Sequence, residues 1–226
     1  DAMTEVMPRF SLIAGGSGVR PPSDARLAYR RQRAIDELRH HADIVLIDCG
    51  AGVHPEVLAH TELADRVLVV TTPEPTSVTD AYALIKLLTR AGQDRPTALS
   101  LALLINQAID HREAHDLHQR IASVCRQFLR FELPLAGAVR KDESIPAAVY
   151  ARAPVVNRSP RSFAAADLRT LASHEASLLI SETTKNTKQT PGSTSHSNGL
   201  ARFVRSCGRK LGPLAFLVEP GHSAGR

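Results

Sequence analysis

Residues 43–52 read Asp43-Ile44-Val45-Leu46-Ile47-Asp48-Cys49-Gly50-Ala51-Gly52, and this stretch decides the fold class. Four consecutive apolar residues between two aspartates are too few for a helix and show no alternation. Such a run fits a short strand buried on both faces, the kind found in parallel sheets covered by helices. The polar, glycine-rich end that follows matches the carboxyl end of such a strand, where open α/β sheets place their ligands.

Working outward, the same grammar repeats. Val67–Thr71 and Leu99–Ile105 are further continuous apolar runs, and Leu135–Val139 is a weaker one. Toward the amino end, Arg9–Ala14 reads as a strand running into Gly15-Gly16-Ser17-Gly18, and Asp24 to about His40 as a helix with Ser23 as cap. Between the later strands, Ala81, Leu84, Ile85 and Leu88 fall at i, i+3, i+4 and i+7. Leu117, Ile121, Val124 and Phe128 form a second helical stripe. A last helix is expected over about Arg161–Ile180. Strands separated by helices of this length imply right-handed crossovers, hence a doubly wound α/β domain with a mostly parallel sheet.

Charge marks the domain boundary. Residues 1–182 hold 21 Lys and Arg against 22 Asp and Glu, whereas residues 183–226 hold seven against one. The net charge of +5 therefore belongs to the carboxyl-terminal region, and the chain-wide value says nothing about nucleic-acid binding by the domain. Residues 183–199 are Thr, Ser, Lys, Asn, Gln, Pro and Gly without apolar periodicity and read as a disordered linker. Residues 200–226 read as a basic amphipathic tail: at 100° per residue, Leu200, Phe203, Val204 and Leu211 share an arc, with Arg202, Arg205 and Arg209 opposite. That pattern predicts a helix over Leu200–Gly212 on an anionic membrane surface, and a peripheral location at the inner face of the cell membrane. Gly208, Gly212 and Pro213 oppose a helix there. Cys49, Cys125 and Cys207 are scattered with no CxxC, which fits a reducing, cytoplasmic compartment.

Three strand ends carry candidate chemistry. Asp48, flanked by Gly50 and Gly52, could hold magnesium through its water shell while backbone N–H groups approach a phosphate. A capped turn explains the same residues equally well. Ser77-x-x-Asp80 matches a capping box, a purely structural role. Asn106 offers a donor and an acceptor to a purine edge, although an Asn at a strand end is more often a turn residue. His111, His115 and His118 lie on one helical face beside Asp110 and Asp116, which fits a polar surface better than a metal site. Arg30, Arg31 and Arg33 read as the outer face of a helix. Aromatic residues of the kind that stack bases are not interleaved with basic ones, which argues against nucleic acid.

Taken together, DIVLIDCGAGVHPEVL, ADRVLVVTTPEPTSVTDAYALIK, LLINQ and the closing GAVRKDESIPAAVYARAPVV…SPRSFAAADLRTLA resemble consecutive blocks of the MinD/ParA family of deviant P-loop ATPases. The similarity is greatest to its flagellum-number regulators, the FlhG (YlxH, FleN) subfamily. It covers about residues 9–180. The resemblance implies a P-loop NTPase-like fold, ATP and Mg2+ as cofactors, a homodimer, and a flagellar GTPase or other positioning protein as partner. It assigns Asp48 to the aspartate that positions magnesium and attacking water, and Gly50 and Gly52 to γ-phosphate sensing. It assigns Asn106 to adenine, the loop Arg140–Ser144 with Asp142 to the space over the base, and Asp80 to a partner-facing helix.

One family feature has no counterpart. A GKGGxGKT-type phosphate loop occurs nowhere in the sequence, and Gly15–Gly18 has no following Lys and stands at the wrong point in the block order. The domain is therefore expected to be incomplete at its amino end, either as a piece of a longer product or as a degenerate relic. Two other functions fit these residues: a non-catalytic interaction module, and a ParA-like partition ATPase that binds DNA non-specifically.

Overall fold

The computed structural model describes residues 3–13, 25–38, 41–49, 52–92, 100–187, 201–206 and 217–218. The strands are β1 (Met3–Met7), β2 (Phe10–Ile13), β3 (Ile44–Asp48), β4 (Arg66–Thr71), β5 (Ser100–Ala108), β6 (Leu135–Arg140), β7 (Ala201–Ser206) and β8 (Leu217–Val218). The helices are α1 (Ala25–Leu38), α2 (Pro55–Glu62), α3 (Pro75–Ala91), α4 (His111–Leu129), α5 (Ser144–Tyr150), α6 (Val155–Arg158) and α7 (Phe163–Thr187). One sheet runs in the order β1-β2-β8-β3-β7-β4-β5-β6. The span from β3 to β6 is parallel throughout, and β1, β2 and β8 add antiparallel pairings at the other end.

The short apolar runs become strands because their backbone groups pair on both sides and their side chains find helices on both faces. All six residues of β4 are buried. On one face Val67, Val69, Leu101, Leu103 and Ile105 pack with Ala81, Leu84, Ile85 and Leu88 of α3 and with Leu117, Ile121 and Cys125 of α4. On the other face Leu68, Ala102 and Ala136 pack with Leu179, while Val70, Leu104 and Val139 pack with Ala164 and Leu168, all from α7. The three crossovers from β3 to β6 step in one direction, so right-handedness puts α2, α3 and α4 on the same side. The long α7 covers the opposite side of β4–β6.

Two ion pairs fasten α7. At the amino edge, Arg66 donates to both carboxylate oxygens of Glu175 and, at 2.8 Å, to Ser100 Oγ. At the carboxyl edge, Asp167 accepts from Arg140 (below). Asp167 and Glu175 are 7% and 3% exposed, so each charge is compensated where water cannot reach it.

Several expectations need correction. The strand expected over Arg9–Ala14 forms as Phe10–Ile13, but it pairs antiparallel with β1 as a hairpin, so it is not the start of the parallel set. The stripe expected on α4 is rotated: Ala114, Leu117, Ile121, Ala122 and Cys125 face the core, while Val124 and Phe128 are 36% and 65% exposed. The last helix continues to Thr187, so the linker expected from residue 183 begins with helix. The amphipathic helix expected over Leu200–Gly212 does not form where the structure describes it, because Ala201–Ser206 is strand β7. Its backbone pairs with β3 on one side and β4 on the other. Two ladders satisfy a six-residue segment more completely than a short helix with glycines at its end. A strand repeats every two residues, so the 100° arc does not apply to the backbone of residues 201–206. Leu200, Arg209 and Leu211 lie outside the described residues, as do Ser23 and Gly50.

Candidate functional site at the carboxyl edge of the sheet

Strands β3, β4, β5 and β6 run parallel toward one edge, and each of these four turns into a helix through residues whose backbone is set locally. After β3, Asp48 and Cys49 lead toward Gly52, whose φ of +93° is a conformation that side chains resist. A Cβ there would meet His54 only at 3.5 Å, so the demand for glycine comes from the backbone angle and not from lack of room. His54 then caps α2 with Pro55 in its first turn.

After β4, the structure revises the capping assignment. Glu74 is the N-cap of α3 and Pro75 stands in the first turn, so Ser77 is already inside the helix. Proline's fixed φ suits the first helical position and starts the helix earlier than a Ser77 cap would. Freed from capping, Ser77 Oγ accepts from Thr72 N–H at 3.0 Å and lies 3.1 Å from Thr71 Oγ1, tying the strand end to the helix. Thr72 Oγ1 is buried with no partner among the described residues. Asp80 sits exposed one turn further along α3, beside the same edge.

After β5, Gln107 N–H donates to Asn106 Oδ1 at 3.0 Å, and Gln107 takes φ +60°. The register with β6 slips here: Asn106 pairs with Val139 and Ala108 with Arg140. The strand therefore carries one extra residue, a bulge of the kind that re-aims side chains. Asp110 caps α4 by accepting from Glu113 N–H at 2.8 Å, and Glu113 reaches back to Ile109 N–H at 2.7 Å.

After β6, Asp142 accepts from Ser144 N–H at 2.8 Å and from Ala164 N–H at 3.1 Å, serving the first turns of α5 and α7. These backbone donors, Ser144 first, hold its carboxyl below the usual carboxylate range. Its side chain thus fixes the 140–144 loop, and only the loop's backbone and neighbours are left to face a ligand. Asp167 completes this corner. It accepts from Arg140 N–H at 3.0 Å, Nε at 2.9 Å and Nη2 at 2.9 Å, and His111 Nε2 lies 3.3 Å away. Burial pushes the Asp167 carboxyl up, but the Arg140 bonds outweigh it and hold it below its ordinary value. Arg140 in turn rests 4.3 Å from the centre of the Phe163 ring.

The edge therefore brings Asp48, Gly52, Thr72, Asn106 and the 140–144 loop to the ends of β3, β4, β5 and β6. The histidine row does not converge on one point: His111 turns to Asp167, and His118 Nε2 is 2.8 Å from Leu133 O. An open depression runs from Ile109, just past the end of β5, along Arg112, Asp116 and Arg120 of α4. Asp167 and Thr72 were not singled out from the sequence, and Ser77 was read only as a cap. Asp167 had a usable signal, being an acid set among Ala164, Ala165, Leu168 and Leu171 on the apolar side of a helix.

The family model described as cellulose biosynthesis protein BcsQ matches residues 22–175. Antiactivator FleN of Pseudomonas aeruginosa is 34% identical over 141 residues, which is 62% of this chain and 49% of that protein. The flagellum site-determining protein YlxH of Helicobacter pylori is 28% identical over 142 residues, 62% of this chain and 46% of that protein. The chain spans about half the length of these curated relatives. Among solved structures, the cell division ATPase MinD of Pyrococcus furiosus superposes with a TM-score of 0.53 at 22% identity. That match covers 67% of this chain and 59% of MinD, a likeness of fold.

Proposed function

The chain belongs to the MinD/ParA-like family that the BcsQ model represents, on the FlhG side of it, and from that premise we propose that it works in an ATP-dependent switch governing flagellar number or placement. The observation that carries this reading is the convergence of Asp48, Gly52, Thr72, Asn106 and the 140–144 loop on one sheet edge, in residues that match a family whose relatives include FleN and YlxH.

On the base side the residues fit: Asn106 presents a side-chain amide beside a loop fixed by Asp142 and Asp167. Near the phosphate end, the buried Thr72 hydroxyl has no partner among the described residues and could donate to a ligand oxygen. No group of three or more His, Cys, Asp or Glu that could hold a metal occurs among the described residues. A single Asp48 carboxylate suits Mg2+, which keeps most of its waters. The fit ends at the phosphates: no GKGGxGKT-type loop lies within residues 1–226 to take their charge. When bound, Mg-ATP supplies the phosphate charge whose presence or loss rearranges surface loops. The chain's own residues would orient the base, position water at Asp48 and present α3, with Asp80 exposed, to a dimer mate or effector.

A second reading is a non-catalytic interaction module that keeps α3, with Asp80 exposed on it, as its working surface. Genetics separates the two. Deleting the gene in the organism that encodes it should change flagellar number or position in electron micrographs, and Asp48→Ala on the chromosome should reproduce the deletion. Normal flagella after Asp48→Ala, with abnormal flagella in the deletion, would select the interaction module. Normal flagella in both would remove the flagellar assignment.

A further inference from the structure

Asp167 reaches both loops of the base side. Its carboxylate takes three hydrogen bonds from Arg140, one of them from the backbone at the head of the 140–144 loop. It also lies 3.3 Å from Nε2 of His111, the first residue of α4, which closes the loop that begins at Asn106. The β5–β6 pairing sets Ala108 beside Arg140 and Asn106 beside Val139, so the two loops leave the sheet side by side. Two further contacts stiffen the corner: Asp142 Oδ2 accepts from Ala164 N–H, and the Arg140 guanidinium lies on Phe163. This side chain, 7% exposed, joins the last residue of β6 to the first residue of α4, the residues at which the 140–144 loop begins and the loop after Asn106 ends.

We propose that Asp167 is a positioning residue for the nucleotide base, fixing the Asn106 loop and the 140–144 loop relative to one another through His111 and Arg140. This rests on the reading of the edge as a nucleotide site. Asp167 touches no ligand in this role. It sets the separation into which a purine must fit, and a small misplacement of positioning groups is costly to binding.

The test is titration of the full chain with adenosine, followed by amide and side-chain NMR shifts, in the unsubstituted protein and in Asp167→Asn and Asp167→Ala. Adenosine should shift the Asn106 side-chain amide and the 140–144 backbone signals in the unsubstituted chain. Asp167→Asn should weaken that binding about three- to tenfold, the range of one or two lost hydrogen bonds, measured well below its melting temperature. Asp167→Asn keeps the shape of the side chain, so it answers the question even if Asp167→Ala fails to fold. Equal affinity in Asp167→Asn and unsubstituted protein, with only the melting temperature lowered, would overturn the positioning role while leaving the base site standing. No shift at Asn106 in the unsubstituted chain would overturn the base site itself, and the positioning role with it.

Discussion

Replacing Glu175 with Ala removes one half of the clasp between α7 and the start of β4. The side chains of Arg66 and Glu175 are 7% and 4% exposed, and Arg66 binds both carboxylate oxygens. After the substitution Arg66 keeps Ser100 Oγ among the described residues, and a buried guanidinium is left without its counter-charge. Breaking a buried pair from one side costs about 3–5 kcal/mol, a large part of the roughly 5–15 kcal/mol that holds a domain folded. For a chain of this length the melting temperature should fall by roughly 6–20 °C. Arg66→Met should cost a similar amount. Arg66→Met combined with Glu175→Leu should come close to the unsubstituted protein, because apolar replacements remove both desolvation costs together. Urea unfolding followed by circular dichroism, with Glu175→Leu alone as the fourth corner, closes the cycle. Single substitutions costing under about 1 kcal/mol each, and adding in the double, would refute the argument that this pair is buried and mutually dependent.

Three further outcomes are expected. The chain as given should show no ATP turnover and bind Mg-ATP more weakly than about 1 mM by calorimetry, roughly −4 kcal/mol, and micromolar binding with turnover would contradict the fit described for the phosphate end. The carboxyls of Asp142 and Asp167 are held below their ordinary range, so their contribution is present above about pH 4 and lost as pH falls through their lower folded values. Unfolding followed against pH should show stability falling below about pH 4, with a smaller fall in Asp142→Asn. Burial pushes the Cys125 thiol up to about 11, so iodoacetamide should leave it unmodified at neutral pH until the protein unfolds, as peptide mass spectrometry would reveal.

The parallel core was legible because β4 and most of β5 are buried on both faces, and double burial writes itself as a continuous apolar run; β3 carries the same run with only Val45 fully buried. The ends of elements were less so. Ser77 has the letters of a capping box, yet Pro75 starts the helix three residues earlier than a Ser77 cap would, and only the backbone shows which signal prevails. The α4 stripe went astray because Val124 and Phe128 keep helical spacing while facing solvent beyond the packed seam. The Leu200–Gly212 arc failed for another reason: periodicity over so few residues fits two structures, and open ladders on both β3 and β4 choose the strand. Asp48, Asn106 and Asp142 could be found as polar residues at strand ends. Asp167 comes from a helix that is far away in sequence, and its meeting with Arg140 and His111 is a product of tertiary packing.

The extra residue in β5 limits how this edge can change over time. Side chains two apart in a regular strand point the same way, yet Asn106 and Ala108 pair with successive residues of β6 and so part to opposite sides. Losing Gln107 would make Asn106 and Ala108 neighbours in the strand, which keeps them on opposite sides and removes only the bulge. Asn106 Oδ1 would lose the Gln107 N–H that holds it, and its amide would follow the straightened strand. Substitutions along this stretch alter one contact at a time, whereas a one-codon deletion would re-aim Asn106 and shorten the lead into α4. The number of residues between Asn106 and Asp110 should therefore be kept more strictly, among chains that share this edge, than the identity of any residue between them.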